Sequence, residues 1–234
     1  MTNIDPAVDF SPAIIINAYA PPLSTLIATV IFFKLAGIKD LLRGILRWRV
    51  GLRWYLLVIL GPFVLVFLSN LLYIATGGAP DWKTFFDASV ILIGIGPIIA
   101  GCFEEIAWRG FGQRLLQQRY AALTASILVG IIWATWHLWP LFAPGGLEQF
   151  TFADIIQTYV RLIATAIIYA WVYNSTKGSL LIVMLAHASH NVTLYLMPAP
   201  DQTVALIIAG LYVVAATIVV RIAGAHTLGL KTRL

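Results

Sequence analysis

Residues 54–76 read WYLLVILGPFVLVFLSNLLYIAT, a run of 23 without one charged side chain. Coiled as an α-helix, the run extends about 34 Å at 1.5 Å per residue, against a bilayer hydrocarbon core of about 30 Å. Its leucines, valines and isoleucines fall on every face, as in a helix with no side turned to water. Six further apolar runs lie around it, near 14–36, 88–108, 121–142, 157–174, 179–197 and 203–222. The composition agrees. The chain has 234 residues, 60% apolar and 11% charged, with a mean hydropathy of +0.89. A soluble domain carries about 25% charged residues, and a chain of this size keeps much of its surface exposed. A water-soluble enzyme, a disordered chain and a disulfide-stapled secreted scaffold are therefore excluded. Lipid offers the backbone no hydrogen-bond partner, so the runs are helices. The expected fold is all-α: one polytopic transmembrane bundle of about seven or eight helices over residues 1–234, the eighth short or re-entrant, with no internal repeat or linker. Pro21-Pro22 in the first run predicts a kink or split there.

Charge sets the direction. Lys34, Lys39, Arg43, Arg47, Arg49 and Arg53 surround the first connection; Arg109, Arg114 and Arg119 follow the third run; Lys177 follows the fifth; Arg221, Lys231 and Arg233 mark the tail. Asp5, Asp9, Asp81, Asp87, Glu148, Asp154 and Asp201 fall on the other side. The positive-inside rule then predicts an N-terminus outside and a C-terminus in the cytoplasm, with Arg161 snorkelling near the outer surface. The net charge of +5 and pI of about 9.5 thus reflect membrane topology and contact with lipids, not nucleic-acid binding. The connection Gly37–Arg53 places Leu41, Leu42, Ile45, Leu46 and Trp48 at helical spacing among arginines and predicts an interfacial amphipathic helix. The acidic N-terminus does not read as a signal peptide. Cys102, the single cysteine, reads as a small apolar filler.

Ionisable residues at membrane depth are expensive, on the order of 3 kcal/mol each, and so are functional candidates. Three groups occur: Glu104, Glu105 and Arg109 late in the third run, His137 in the fourth, and His187, His190 and Asn191 in the sixth. Glu105 and Arg109 share a helix face at i and i+4, as do His187 and Asn191, while Glu104 points about 100° away from Glu105. Taken singly, these could be a helix-end ion pair, an interface histidine and an interhelical hydrogen bond. Taken together, a carboxylate with two imidazoles is a water-activating set. No aspartate lies in a span, which removes aspartyl proteolysis. Neither a HExxH helix nor a Gly-x-Ser-x-Gly elbow is present.

Glu104-Glu105-Ile-Ala-Trp-Arg109, Trp133-Ala-Thr-Trp-His137 and His187-Ala-Ser-His-Asn191, in this order in a hydrophobic chain, resemble the CAAX-protease and bacteriocin-processing (Abi) family of intramembrane proteases. The resemblance covers about residues 85–197, the expected catalytic core. The one departure is Trp133, where the family more often has Phe, read as conservative. The resemblance implies an endopeptidase of a prokaryotic cell membrane acting on a peptide or protein, in some relatives a lipid-modified one. It implies Glu104 as the base that activates water, His137 as the residue orienting that water, Glu105 as the partner of Arg109, and His187 and Asn191 as oxyanion donors. His190 is left as a flanking polar residue. Glu104, His137 and His187 could alternatively hold a Zn²⁺ ion as a His₂Glu site with an open position. The competing readings are a proton-coupled transporter, with Gly94, Gly96 and Pro97 breaking the third span, and a non-catalytic binding or immunity protein. Depth counting poses a problem. From the cytoplasmic ends, Glu104 and His187 lie about 13–15 Å in and His137 about 24 Å, a mismatch that tilt or an early helix start must absorb.

Overall fold

The computed structural model describes residues 12–80, 88–142, 148, 150–196 and 202–230. Within them the chain is helical throughout: α1 (Pro12–Ile45), α2 (Leu52–Ala75), α3 (Ala88–Glu105), α4 (Ala122–Trp136), α5 (Phe152–Ser175), α6 (Leu180–Leu196) and α7 (Gln202–Ala223). A π-helical segment, Ile106–Gln113, continues α3 and is followed by one short turn, Arg114–Leu116; a 3₁₀ turn, Trp139–Phe142, follows α4. Among the described residues four helices are long and apolar enough to cross a bilayer, those over Leu52–Ala75, Ala122–Phe142, Phe152–Ser175 and Gln202–Ala223, and Leu180–Leu194 is a shorter apolar one. The chain is a multi-pass membrane protein. On α2, Trp54, Val58, Pro62, Val66, Ser69 and Asn70 face the bundle, while Leu56, Leu60 and Val64 are 51–60% exposed. A soluble helix would carry polar residues on that outer face.

Three expectations are corrected. The first run does not break at Pro21-Pro22. The helix continues through both, and Ser24 Oγ donates to the Pro21 carbonyl at 3.0 Å, a side-chain bond of the kind that lets membrane helices absorb proline. The interruption is at Lys34, whose φ of 53° and ψ of −151° leave the helical region. Likewise α3 runs unbroken past Gly94–Pro97, and its irregularity is the π segment after Glu105. Beyond Lys34 the second part of α1 is amphipathic, with Gly37, Leu41 and Gly44 buried and Leu42 exposed. It stops at Ile45, so Trp48, 59% exposed, lies outside the helix that the sequence predicts for it.

The connections rich in arginine and lysine meet at one end. Ser179 Oγ donates to the Arg47 carbonyl at 2.6 Å, Arg114 reaches Asp40 at 3.4 Å, and Asn174 Nδ2 donates to Gln117 Oε1 and to the Thr227 carbonyl, both at 2.7 Å. The α1–α2, α3–α4 and α5–α6 connections and the segment after α7 are thereby tied together. Ala122 and Leu123 donate their amides to the His226 and Ala225 carbonyls, so the start of α4 is capped by that last segment and Ala122 is buried. At the opposite end Thr151 and Asp154 form a capping box that starts α5. Asp5, Asp9, Asp81, Asp87, Asp201, Lys231 and Arg233 lie outside the described residues.

Helix α6 is central and packs against α3, α2, α5 and α1. Helices α4 and α5 approach closely through small residues: a Cβ at Gly130 would stand 2.7 Å from Ile163 Cα. Such contacts replace the hydrophobic drive that lipid does not supply.

Candidate active site

Glu104 and Glu105 are the last two residues of α3 before the π segment that carries Trp108 and Arg109. Consecutive positions on a helix diverge by about 100°, and the two carboxylates enter different surroundings. Glu105 is fully buried. Arg109 Nη1 donates to both of its oxygens at 3.0 Å, and His187 Nδ1 lies 2.8 Å from Oε1. A carboxylate only accepts, so His187 carries its proton on Nδ1 and leaves Nε2 for the cavity. Arg109, also fully buried, stacks its guanidinium 4.8 Å from the Trp133 ring centre and 5.0 Å from that of Tyr169. Aromatic faces thus take up donors that have no oxygen partner among the described residues.

Among the described residues Glu104 has no cation partner. Two indoles, Trp108 Nε1 at 3.0 Å and Trp133 Nε1 at 2.9 Å, donate to its Oε2. Oε1 makes no hydrogen bond among the described residues. Trp133 is the hub of the site. Besides bonding Glu104, its ring lies edge-on to His137 at 5.7 Å and to His187 at 5.4 Å. Its carbonyl lies 3.0 Å from His137 Nδ1, which must therefore be the protonated nitrogen of that ring. His137 ends α4, and Trp133 one turn earlier joins it to Glu104 and His187. Residues from all three motifs are therefore brought together.

The depth mismatch is bridged by Trp133, which bonds Glu104 and meets His137, and by side-chain direction. Helix side chains lean toward their own N-terminus. α3 and α4 run in opposite directions, so Glu104 leans up its helix and His137 leans back down toward Trp133. The base is shared as well, because Gln113 Nε2 donates to the Ala122 carbonyl at 3.4 Å. From that cross-link Glu104 is nine residues up one helix, and Trp133 eleven and His137 fifteen up the other, so Trp133 stands within about 3 Å of the height of Glu104 and His137 about 9 Å from it.

His187 Nε2 and Asn191 Nδ2 converge on Gly101. A Cβ at Gly101 would lie 2.8 Å from the first and 2.6 Å from the second, so only glycine leaves room for this pair. Cys102 packs between α3 and α6, with Sγ 3.4 Å from the Met184 carbonyl. His190 and Arg161, set aside in the sequence as flanking and snorkelling residues, bond each other instead. Arg161 Nη1 lies 3.2 Å from His190 Nε2, and His190 Nδ1 lies 2.6 Å from Tyr212 Oη. Trp108, Gly101 and Tyr169 are not singled out by the sequence, and Trp133 enters there only as a conservative replacement for Phe. Trp108 is one turn from Glu104 and Trp133 one turn from His137, so helical spacing was a usable signal.

The residues do not fit a His₂Glu zinc centre. Among the described residues no group of three or more His, Cys, Asp or Glu side chains is placed to hold a metal ion. A cavity of about 690 Å³ lies elsewhere, between α5 and α7, among Ile163, Ile167, Val213, Ala216 and Val220.

Residues 86–193 match the family model of the type II CAAX prenyl endopeptidase Rce1-like proteins. The chain is 26% identical over 191 residues to the CAAX prenyl protease 2 of Methanococcus maripaludis, a match covering 77% of this chain and 70% of that protein. The family match contains Glu104, Glu105, Arg109, His137, His187 and Asn191.

Proposed function

We propose that this chain, whose residues 86–193 match the model of the Rce1-like CAAX prenyl endopeptidases, is a membrane-embedded endopeptidase in which Glu104 and His137 activate water. The observation that carries the reading is the contrast between the paired carboxylates. Glu105 is consumed by Arg109 and His187, whereas Glu104 is held at one oxygen by neutral donors and keeps the other for a proton.

In the cleavage step Glu104 Oε1 takes a proton from water. His137, with its proton on Nδ1, offers the Nε2 lone pair that orients that water. The hydroxide adds to the peptide carbonyl. The resulting oxyanion is met by Asn191 Nδ2 and by the His187 ring, which Glu105 holds in place at 2.8 Å. Glu104 then returns the proton to the leaving nitrogen, the C–N bond breaks, and a carboxylate and an amine leave.

The substrate is a protein or peptide, and its lipid-modified form fits a site opening among membrane helices. The basic end, with Arg43, Arg47, Arg49 and Arg53, favours contact with anionic lipids and a cytoplasmic position, the N-terminus lying outside. A prokaryotic cell membrane is the matching location. The test is cleavage of a prenylated C-terminal peptide by the purified protein, in detergent, by wild type and Glu104→Gln. We expect kcat/KM to fall by about 10²–10⁴ in the variant, the usual worth of a general base. Equal cleavage by both would remove Glu104 from this role.

A further inference from the structure

Helices α5 and α7 run side by side from the capping-box end to the basic end and are fastened at both. Gln157 Nε2 donates to the Ala205 carbonyl at 3.3 Å near one end, and Asn174 Nδ2 donates to the Thr227 carbonyl at 2.7 Å near the other. Between the two fastenings lies the cavity of about 690 Å³. That volume is within the usual range of a ligand site, about 300–1,000 Å³. Ala164 and Ala216 form its floor and are buried, while Val160 and Val213 stand exposed at its rim.

The cavity is apolar except at one end. Thr217 Oγ1 donates to the Val213 carbonyl of its own helix at 2.8 Å, so its hydroxyl is already used. The charged group on the wall is Arg221, exposed and two residues before the end of α7. Ala225 closes that end, and its carbonyl takes the Leu123 amide at 3.0 Å. The depth is that of one leaflet. Val213 is ten residues before Ala223, about 15 Å along the helix, half of a hydrocarbon core of about 30 Å. An aliphatic groove from mid-membrane to the interface, with a guanidinium at its interfacial end, matches an acyl chain joined to an anionic headgroup. This side of α5 is not the one that meets the candidate active site. Leu162, Ala166 and Tyr169 pack with Trp133, whereas Ala164 and Ile167 pack with Ala216. At 100° per residue the two sets lie on nearly opposite faces of the helix.

We propose that the groove between α5 and α7 binds an anionic phospholipid of the leaflet on the basic side, with its acyl chain along the groove and its phosphate on Arg221. The inference does not rest on the endopeptidase reading.

The experiment exchanges the purified full chain into micelles holding equal amounts of a phosphatidylglycerol and a phosphatidylcholine with the same acyl chains, and reads the retained lipid by native mass spectrometry. Wild type is expected to favour the phosphatidylglycerol by about tenfold, the worth of one hydrogen-bonded charge contact. Arg221→Gln brings the ratio close to one. Arg43→Gln removes an exposed cation at the same end but on α1, and leaves the ratio unchanged. Thr217→Phe fills the groove from an exposed position and lowers the retention of both lipids. Equal retention of the two lipids by wild type overturns the inference, and that comparison needs no variant to fold. A ratio that falls as far in Arg43→Gln as in Arg221→Gln also overturns it, because diffuse attraction to the basic end behaves so. Full retention in Thr217→Phe places the lipid elsewhere, and a wild-type dimer that Thr217→Phe splits gives the groove to a second copy of the chain; either result overturns the inference.

Discussion

Two polar clusters lie one turn apart on α6, around His187 and around His190, and their charges are handled differently. In the first, Glu105 and Arg109 are both fully buried and cancel each other, with His187 bound to the same carboxylate. In the second, Arg161 bonds the His190 imidazole, and none of the ion pairs among the described residues includes it. Glu104 repeats the second pattern with the opposite sign, held by two indoles and no cation. The comparison separates frame from tools. Charges that cancel inside the bundle fix the helices to one another. Among the described residues Glu104 and Arg161 are left without an opposite charge, and Glu104 is the one bonded to Trp133, whose ring also meets His137 and His187.

The largest structural effect should come from breaking the cancelled pair. Arg109→Met leaves Glu105 buried without its counter-charge, and unfolding in detergent should show a loss of about 3–5 kcal/mol. A variant as stable as wild type would mean that Arg109 does not belong to the frame. A smaller effect is expected at Gly101. An added methyl must displace His187 or Asn191, so Gly101→Ala should cost about 1–3 kcal/mol and depress kcat. Gly96→Ala is the control, since a Cβ there meets nothing within 4 Å. Equal behaviour of the two alanine variants would dissolve the proposed oxyanion pair. The smallest effect is the sharpest. Trp133→Phe keeps the ring under Arg109 and beside both histidines but removes the donor to Glu104. It should lower kcat/KM by about tenfold with little change in unfolding. A large loss of stability instead would make Trp133 part of the frame.

That last variant bears on how much could be read beforehand. Sequence alone treats Trp133 as a bulky apolar residue equivalent to phenylalanine. The indole N–H matters only because α4 crosses α3 at the height of Glu104, and spacing within one helix carries no information about crossing height. The pairs within a helix were legible for the opposite reason. Glu105 with Arg109 follows from 3.6 residues per turn wherever the helix lies. The proline expectation failed because proline was weighed as in water, whereas a neighbouring serine bonds a carbonyl of the Pro21-Pro22 pair. Arg161 was placed at the surface because an isolated arginine in an apolar run ordinarily snorkels. Its partners come from α6 and α7, one of them an ordinary tyrosine in the last span.

The sequence by itself determined that the chain crosses a membrane as helices, since uncharged runs of this length leave no other way to satisfy the backbone. It also determined which ionisable residues lie at depth and which share a helix face, because both follow from composition and helical period. Tertiary structure alone decided how those charges are shared out. Glu105 is neutralised and Glu104 is not, and His190 serves Arg161 rather than the carboxylates. These outcomes depend on which helices touch and on the direction in which their side chains lean, and in a low dielectric a shift of a few ångströms decides which charge is cancelled and which is left to act.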